Sequence, residues 1–279
     1  MGLWYMAIFL PSAFKYDIVF TGKESMDYEI IDAHLHPFLH TTCCINQYQA
    51  VQTVEEFVTH LRQQGISLCA GSIIRKLAGD DFTPVRELNQ DALEFRKRYP
   101  GFYLPGIHVH SQFPEESCQE LERLHAQAVR LIGELVPYYM GWEAYAVSRM
   151  NPVWDLASQL GYVVSIHPST LEDIEQLLTD FPQLKVLIAH PGERADYLNK
   201  LELLKRHPNA FLDICGTGLF RHGMLEYGVK EVGEDRFLFG SDFPVCSAAM
   251  QIGGVLGENL TSKQREAIFA DNAKRLFEL

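Results

Sequence analysis

From residue 29 onward the chain alternates eight times between two patterns of apolar residues, and this alternation restricts its fold more than any other feature. Short runs rich in Val, Ile and Leu begin near Glu29, Ile66, Phe102, Val129, Tyr162, Lys185, Ala210 and Phe237. They are apolar at consecutive positions, as strands buried on both faces require. Between them lie segments with apolar residues at helical spacing, over 54–64, 85–99, 115–127, 152–160, 171–181, 195–206 and 223–232, and a last helix runs over 262–279. Thr53, Asn151-Pro152 and Thr261-Ser262 mark helix starts, and Gly65, Pro100-Gly101 and Gly161 mark helix ends. Eight strand–helix units in roughly 250 residues predict a (β/α)8 TIM barrel, as one domain over residues 26–279. A doubly wound open sheet is the runner-up, but its first turn carries a glycine-rich phosphate loop. Here that turn carries His34 and His36.

Composition narrows the function. Of 279 residues, 47% are hydrophobic, ample for a large core. The net charge of −12 and scattered Lys and Arg leave no footprint for nucleic acid or an anionic membrane. The six cysteines form no Cys-x-x-Cys pair and no disulfide-like spacing, so a reducing cytoplasm is the simplest setting. Residues 1–25 are apolar and aromatic but lack a basic leader and are interrupted by Pro11 and Lys15. They read as an upstream extension without function, neither signal peptide nor membrane span.

In a barrel the active site is assembled at the C-terminal ends of the strands. Strand one ends in Asp32-Ala33-His34-Leu35-His36-Pro37, where two imidazoles separated by one residue project to one side and can share a metal ion. Alone, the pair also fits an ordinary strand capped by histidines. Glu134 lies in strand four, His167 ends strand five, His190 ends strand six and Asp242 ends strand eight. Chance placement of 11 histidines does not gather so many at one rim. Neutral imidazoles and carboxylates bind Zn²⁺ or a similar divalent ion, which acidifies a bound water and polarises a substrate oxygen. Asp242 is placed to move the proton as general base. His190 reads either as a ligand of a second metal or as a hydrogen-bond donor to developing negative charge.

Together, these residues resemble the amidohydrolase superfamily, and within it the amidohydrolase-related branch that also includes decarboxylases. The resemblance rests on Asp32 to Pro37, Ser165-Ile166-His167-Pro168, Ile188-Ala189-His190-Pro191-Gly192 and Gly240-Ser241-Asp242-Phe243-Pro244, with residues 268–277 similar to the branch's terminal helix. It covers the chain from about residue 27 to the end. It implies that His34, His36, His167 and Asp242 are metal ligands, with Asp242 also the base. His190 is implied as a ligand in two-metal members and as substrate-facing in one-metal members. Many two-metal members carry a carboxylated lysine on strand four. Here Glu134 stands in that strand, either as a direct, bridging ligand or as the partner that orients a ligand histidine. One or two ions, most simply zinc, are therefore expected.

Further expectations are weaker in sequence terms. His110, at the end of strand three, and Arg194, after His190, are candidates for substrate contact, each weighed against a structural role. Tyr138, Tyr139, Trp142 and Tyr145 read as an aromatic wall or as loop packing, and Asp32 as a buttress beneath His34. The leading functional reading is a metal-dependent hydrolase that cleaves a C–N or C–O bond of a small molecule (amide, cyclic amide, lactone or ester). The alternative is a metal-dependent, non-oxidative decarboxylase of a small carboxylic acid. A TatD-type nuclease and a non-catalytic metal-binding barrel stand behind these. Barrels of this kind often form homodimers, although no stretch marks an interface.

Overall fold

The computed structural model describes residues 28–279 except 46, 78, 79 and 220, so the expected extension over 1–25 lies outside the described residues. Eight parallel strands form one sheet in sequential order: β1 (Ile30–Leu35), β2 (Ile66–Ser72), β3 (Tyr103–Ile107), β4 (Leu131–Leu135), β5 (Val163–Ile166), β6 (Lys185–Ile188), β7 (Ala210–Asp213) and β8 (Phe237–Leu238). Ala33 N–H donates to Phe239 O at 2.9 Å and Leu35 bridges Phe243, which brings β8 back to β1. The barrel expected from the alternation is present, and every strand begins within two residues of its expected start.

The principal helices are α1 (Val54–Gln63), α2 (Thr83–Arg98), α3 (Pro114–His125), α4 (Pro137–Met140), α5 (Asn151–Gln159), α6 (Leu171–Asp180), α7 (Arg194–Arg206), α8 (Met224–Val232), α9 (Ala248–Gly257), α10 (Ser262–Glu266) and α11 (Asn272–Phe277). Thr53 and Thr261 each form a reciprocal capping box, with Glu56 and Gln264. Asn151 differs from expectation: it is the first helical residue of α5 rather than its cap. The single helix expected over 262–279 is interrupted by a π-turn at Ala267–Asp271, where Ile268 O accepts from Phe239 N–H at 2.8 Å and so ties the C-terminus to the end of β8. Helix α9 went unforeseen because Gly253, Gly254 and Gly257 argue against a helix. Gly254 serves close packing there: a β-carbon at this position would lie 2.8 Å from Leu219 Cδ2.

Two apolar layers follow from strand alternation. Ile132, Val164, Val186 and Phe237 belong to the layer shared with the surrounding helices. Their neighbours Leu131, Val163, Leu187 and Leu238 join Ile31, Ala33 and Ala70 in the barrel interior, packed against Ala270, Ala273, Leu276 and Phe277. The C-terminal segment therefore plugs the N-terminal mouth of the barrel. The C-terminal mouth is left for polar groups.

Candidate metal centre

Strict alternation carries some of these polar groups into the barrel and fails for others. His167 and Asp242 keep the inward parity of Val163 and Leu238. By contrast, His34 and His36 share the parity of outward-facing Ile30, and Glu134 that of outward-facing Ile132. The register of β1 shifts between Asp32 and Leu35, and that of β4 between Ile132 and Leu135. Irregularities of this kind re-aim side chains beside active sites. On β6 the turn is made by His190 itself, at φ +58°, and Asp242 adopts φ +56°. Left-handed backbone at non-glycine residues is strained and persists only where its surroundings hold it.

Those surroundings are visible. Asp213, at the end of β7, accepts from His34 Nδ1 at 2.8 Å through Oδ2 and from the backbone N–H of His190 at 3.1 Å through Oδ1. His36 Nδ1 donates to Ser72 O at 2.9 Å. With both Nδ1 atoms engaged, the Nε2 atoms of His34 and His36 face one another at 3.3 Å, and Glu134 Oε2 lies 3.4 and 3.3 Å from them. Asp242 Oδ1 lies 3.5 Å from His36 Nε2 and 4.0 Å from His34 Nε2. Glu134 Oε1 accepts from His167 Nδ1 at 2.9 Å and stands 3.5 Å from His190 Nε2. Glu134 thus links two groups whose candidate ligand atoms lie within 4.8 Å of one another: His34–His36–Glu134 and Glu134–His167–His190.

This donor set fits a divalent cation. The Nε2 atoms of His34 and His36 converge with carboxylate oxygens while their Nδ1 atoms are already engaged by Asp213 and Ser72 O, which fixes ring orientation as metal-ligating histidines require. The charge balance agrees. Burial disfavours charged His34, but Cys215, Glu134 and Asp213 outweigh it and hold its pKa well above the ordinary imidazole value. Burial likewise opposes ionised Glu134, but His34, His167 and His190 keep its carboxyl well below the usual range. His190 is raised against the effect of its burial, chiefly by its hydrogen bond to Glu134. The same carboxylates that raise these imidazoles offer negative charge to a divalent cation, whose ligands bind in their deprotonated forms.

All six expected ligands, His34, His36, Glu134, His167, His190 and Asp242, gather around this centre. Two cavities, of about 510 and 450 Å³, open beside it and share His167, His190 and Asp242. The expected substrate contacts do not join them. His110 is buried with Nε2 donating to Met140 O at 2.7 Å and Nδ1 accepting from Gln112 N–H at 3.2 Å, so both ring nitrogens are engaged away from the centre. Arg194 is exposed at the start of α7 and lines a separate depression with Glu193, Tyr197 and Arg221. Tyr138 and Tyr139 line the smaller cavity, whereas Trp142 and Tyr145 are buried packing residues. Asp32 lies beneath His34 as expected. Its Oδ1 accepts from the backbone N–H groups of His34 and Ser241, at 3.1 and 3.0 Å, so the buttress acts on the backbone and also joins the ends of β1 and β8.

Sequence reading missed Asp213, the buttress of both His34 and His190. A carboxylate amid Phe211-Leu212-Asp213-Ile214 is the same signal that singled out Glu134. It also passed over Cys215, whose Sγ lies 3.3 Å from His34 Nδ1 and 3.2 Å from His190 Nδ1.

The amidohydrolase family model matches residues 31–279. The chain belongs to the amidohydrolase family. Among curated proteins it resembles the gamma-resorcylate decarboxylase of Rhizobium sp. (strain MTP-10005), with 27% identity over 147 residues, covering 47% of this chain and 43% of that protein. The chain spans about half the length of the curated relatives it matches, 53% and 43%. Solved structures share the fold. A 2,6-dihydroxybenzoate decarboxylase in complex with 2,6-dihydroxybenzoate superposes with a TM-score of 0.70 at 17% identity, covering 90% of this chain and 100% of that one. A manganese-bound 5-carboxyvanillate decarboxylase from Novosphingobium aromaticivorans gives 0.72 at 14% identity, covering 91% and 98%. These comparisons overturn hydrolysis as the leading reading: the relatives with named activities are decarboxylases, the reaction held as the alternative. No helix among the described residues is long and apolar enough to cross a membrane.

Proposed function

We propose that this amidohydrolase-family protein is a metal-dependent, non-oxidative decarboxylase of a small hydroxylated aromatic acid. The observation that carries the reading is the convergence of His34, His36 and Glu134, with Asp242 Oδ1 3.5 Å from His36 Nε2, beside two cavities that share His167, His190 and Asp242 and are each large enough for a substituted benzene ring. The named activities of the relatives support it. His34, His36, Glu134, His167, His190 and Asp242 would hold a divalent ion, which would supply positive charge to draw electron density from the substrate's oxygens. Zinc suits the imidazole-rich donors, and manganese is the ion bound in the 5-carboxyvanillate decarboxylase.

The protein's own residues supply the rest. Asp242 lines both cavities, and the Cys246 thiol donates to its Oδ2 at 3.6 Å while Oδ1 faces the cluster. Asp242 is the group that delivers a proton to the ring carbon bearing the carboxylate. The carbon–carbon bond then breaks as that carbon keeps the electron pair and its proton, and CO₂ leaves. His190, fixed by Asp213 and Gly216, presents Nε2 to Glu134 and shares in stabilising the charge that develops. Six free thiols suit a reducing cytoplasm. A homodimer belongs to the same proposal, with light scattering as its readout.

The test is to load the protein with Mn²⁺ or Zn²⁺ and incubate it in D₂O with 2,6-dihydroxybenzoate and 5-carboxyvanillate. The expected products are CO₂ and an arene carrying one deuterium at the carbon that lost the carboxylate. No CO₂ from either acid refutes the reading for this substrate class.

A further inference from the structure

His34 and His36 aim Nε2 at the cluster because an oxygen engages each Nδ1, whereas His190 has a sulfur in that place. The backbone of His190 is held on both sides. Its N–H donates to Asp213 Oδ1 at 3.1 Å, and its carbonyl accepts from the buried Lys200 Nζ at 2.6 Å. Its ring presents Nε2 to Glu134 Oε1 at 3.5 Å, while Nδ1 lies 3.2 Å from Cys215 Sγ. Cys215 is fully buried, and its own N–H donates to Asp213 Oδ1 at 3.2 Å, so one carboxylate fixes both residues. Gly216 follows at φ +67°, where a β-carbon would come 2.4 Å from His190 Nδ1. Backbone thus closes on the ring edge, and Cys215 Sγ is the one hydrogen-bond partner of Nδ1 among the described residues.

A thiol can accept a hydrogen bond or donate its proton, and the two cases give opposite tautomers of His190. A proton on Nδ1 leaves a lone pair on Nε2, as metal ligation requires. A thiol proton donated to Nδ1 places the ring proton on Nε2 and makes His190 a hydrogen-bond donor only. The sulfur also lies 3.3 Å from His34 Nδ1, which donates to Asp213, so its neighbourhood is one of donors. We propose that Cys215 is the positioning residue of His190: its sulfur accepts the Nδ1 proton and commits Nε2 to a divalent ion in the Glu134–His167–His190 group. The inference rests on the metal-centre part of the proposed function and is independent of the reaction. The opposing arrangement makes Cys215 a ligand itself, with His34 and His190, whose candidate ligand atoms lie within 4.8 Å of its sulfur.

Nuclear magnetic resonance of zinc-loaded protein carrying isotope-labelled histidine reads the tautomer in the unaltered chain, with His190→Gln assigning the signal. His190 is expected to be protonated at Nδ1, and protonation at Nε2 overturns the proposal without any further variant. Calorimetric titration of chelator-stripped protein with Zn²⁺ adds the affinity. Cys215→Ala is expected to weaken by roughly 10–100-fold the binding step that His190→Gln also loses, and to leave the step at His34 and His36 within about threefold. Cys215→Ser, whose hydroxyl still accepts, is expected to recover most of that loss. Wild-type affinities in Cys215→Ala overturn the proposal. So does an equal loss at every step in both variants, which marks a packing residue, or a thiolate-to-cobalt absorption band in Co²⁺-loaded wild type that both variants lack, which marks a ligand. Absence of Zn²⁺ binding by wild type removes the metal centre as well, whereas a single ion insensitive to His190→Gln removes this inference alone.

Discussion

The two mouths of the barrel are built from the same eight strands and carry opposite chemistry. At the N-terminal mouth, Ile31, Ala33, Leu131, Val163, Leu187 and Leu238 follow the two-residue period and close on Leu276 and Phe277. At the C-terminal mouth, His34, His36, Glu134, Asp213 and Asp242 are nearly as buried, and all are polar. Their placement needs shifted registers in β1 and β4 and left-handed backbone at His190 and Asp242. One end gains stability by obeying the pleat. The other departs from it to aim side chains, and buried carboxylates and imidazoles are tolerated there because each has a partner.

If that division is correct, mutations at the two ends must separate function from stability. Asp242→Asn is expected to lower turnover by roughly 10²–10⁴-fold with little change in thermal stability, read from CO₂ release beside a melting curve. Near-normal turnover removes Asp242 as the proton carrier. Chelation is expected to abolish turnover and also to lower the melting temperature, because an ion present at a thousandfold over its dissociation constant stabilises by about 4 kcal/mol. At the opposite end, Leu276→Ala is expected to cost about 2–4 kcal/mol of stability while metal content per folded chain is unchanged. Loss of metal from folded Leu276→Ala protein breaks the comparison.

A contrast between two buried imidazoles sharpens it further. Despite its burial, His34 is pushed well above the ordinary imidazole value by Cys215, Glu134 and Asp213, whereas burial pushes His108 from 6.5 down to about 4. Between those two values the unfolded chain binds a proton at His108 that the folded chain refuses. Its contribution is therefore fully present above pH 6.5 and is lost as pH falls towards 4, by at most about 3 kcal/mol. His108→Gln, whose amide can still donate to Ile73 O, is expected to flatten that decline in denaturant midpoints measured across pH. An unchanged slope assigns the acid sensitivity to other groups.

The difference between the two ends also explains what was legible in the sequence. Strand starts were readable because consecutive Val, Ile and Leu leave few alternatives, and Thr53, Thr261 and Gly161 punctuate the helices with local chemistry. The six ligand candidates were readable because histidines and carboxylates at strand ends stand out against apolar runs. How three strands turn those residues inward was not readable: a register shift has no local signature, and His190 looks like any residue before proline. Asp213 was legible in principle and was passed over because strand seven ends in no histidine. Lys200 was not, since one lysine on a helix resembles every solvated lysine until the fold buries it against the backbone carbonyls of His190 and Pro191.

The central claim is that the buried charges at the C-terminal mouth are arranged for a divalent cation, and metal titration tests it most directly. Chelator-stripped protein would be titrated with Mn²⁺ and Zn²⁺ by calorimetry in two buffers of different ionisation heat, with His34→Gln and Glu134→Gln alongside. The account expects saturable binding with net proton release from the cluster, as His34 and His190 give up their protons, and binding at least tenfold weaker in both variants. Absence of binding by wild type, or affinities in the variants equal to wild type, would contradict it.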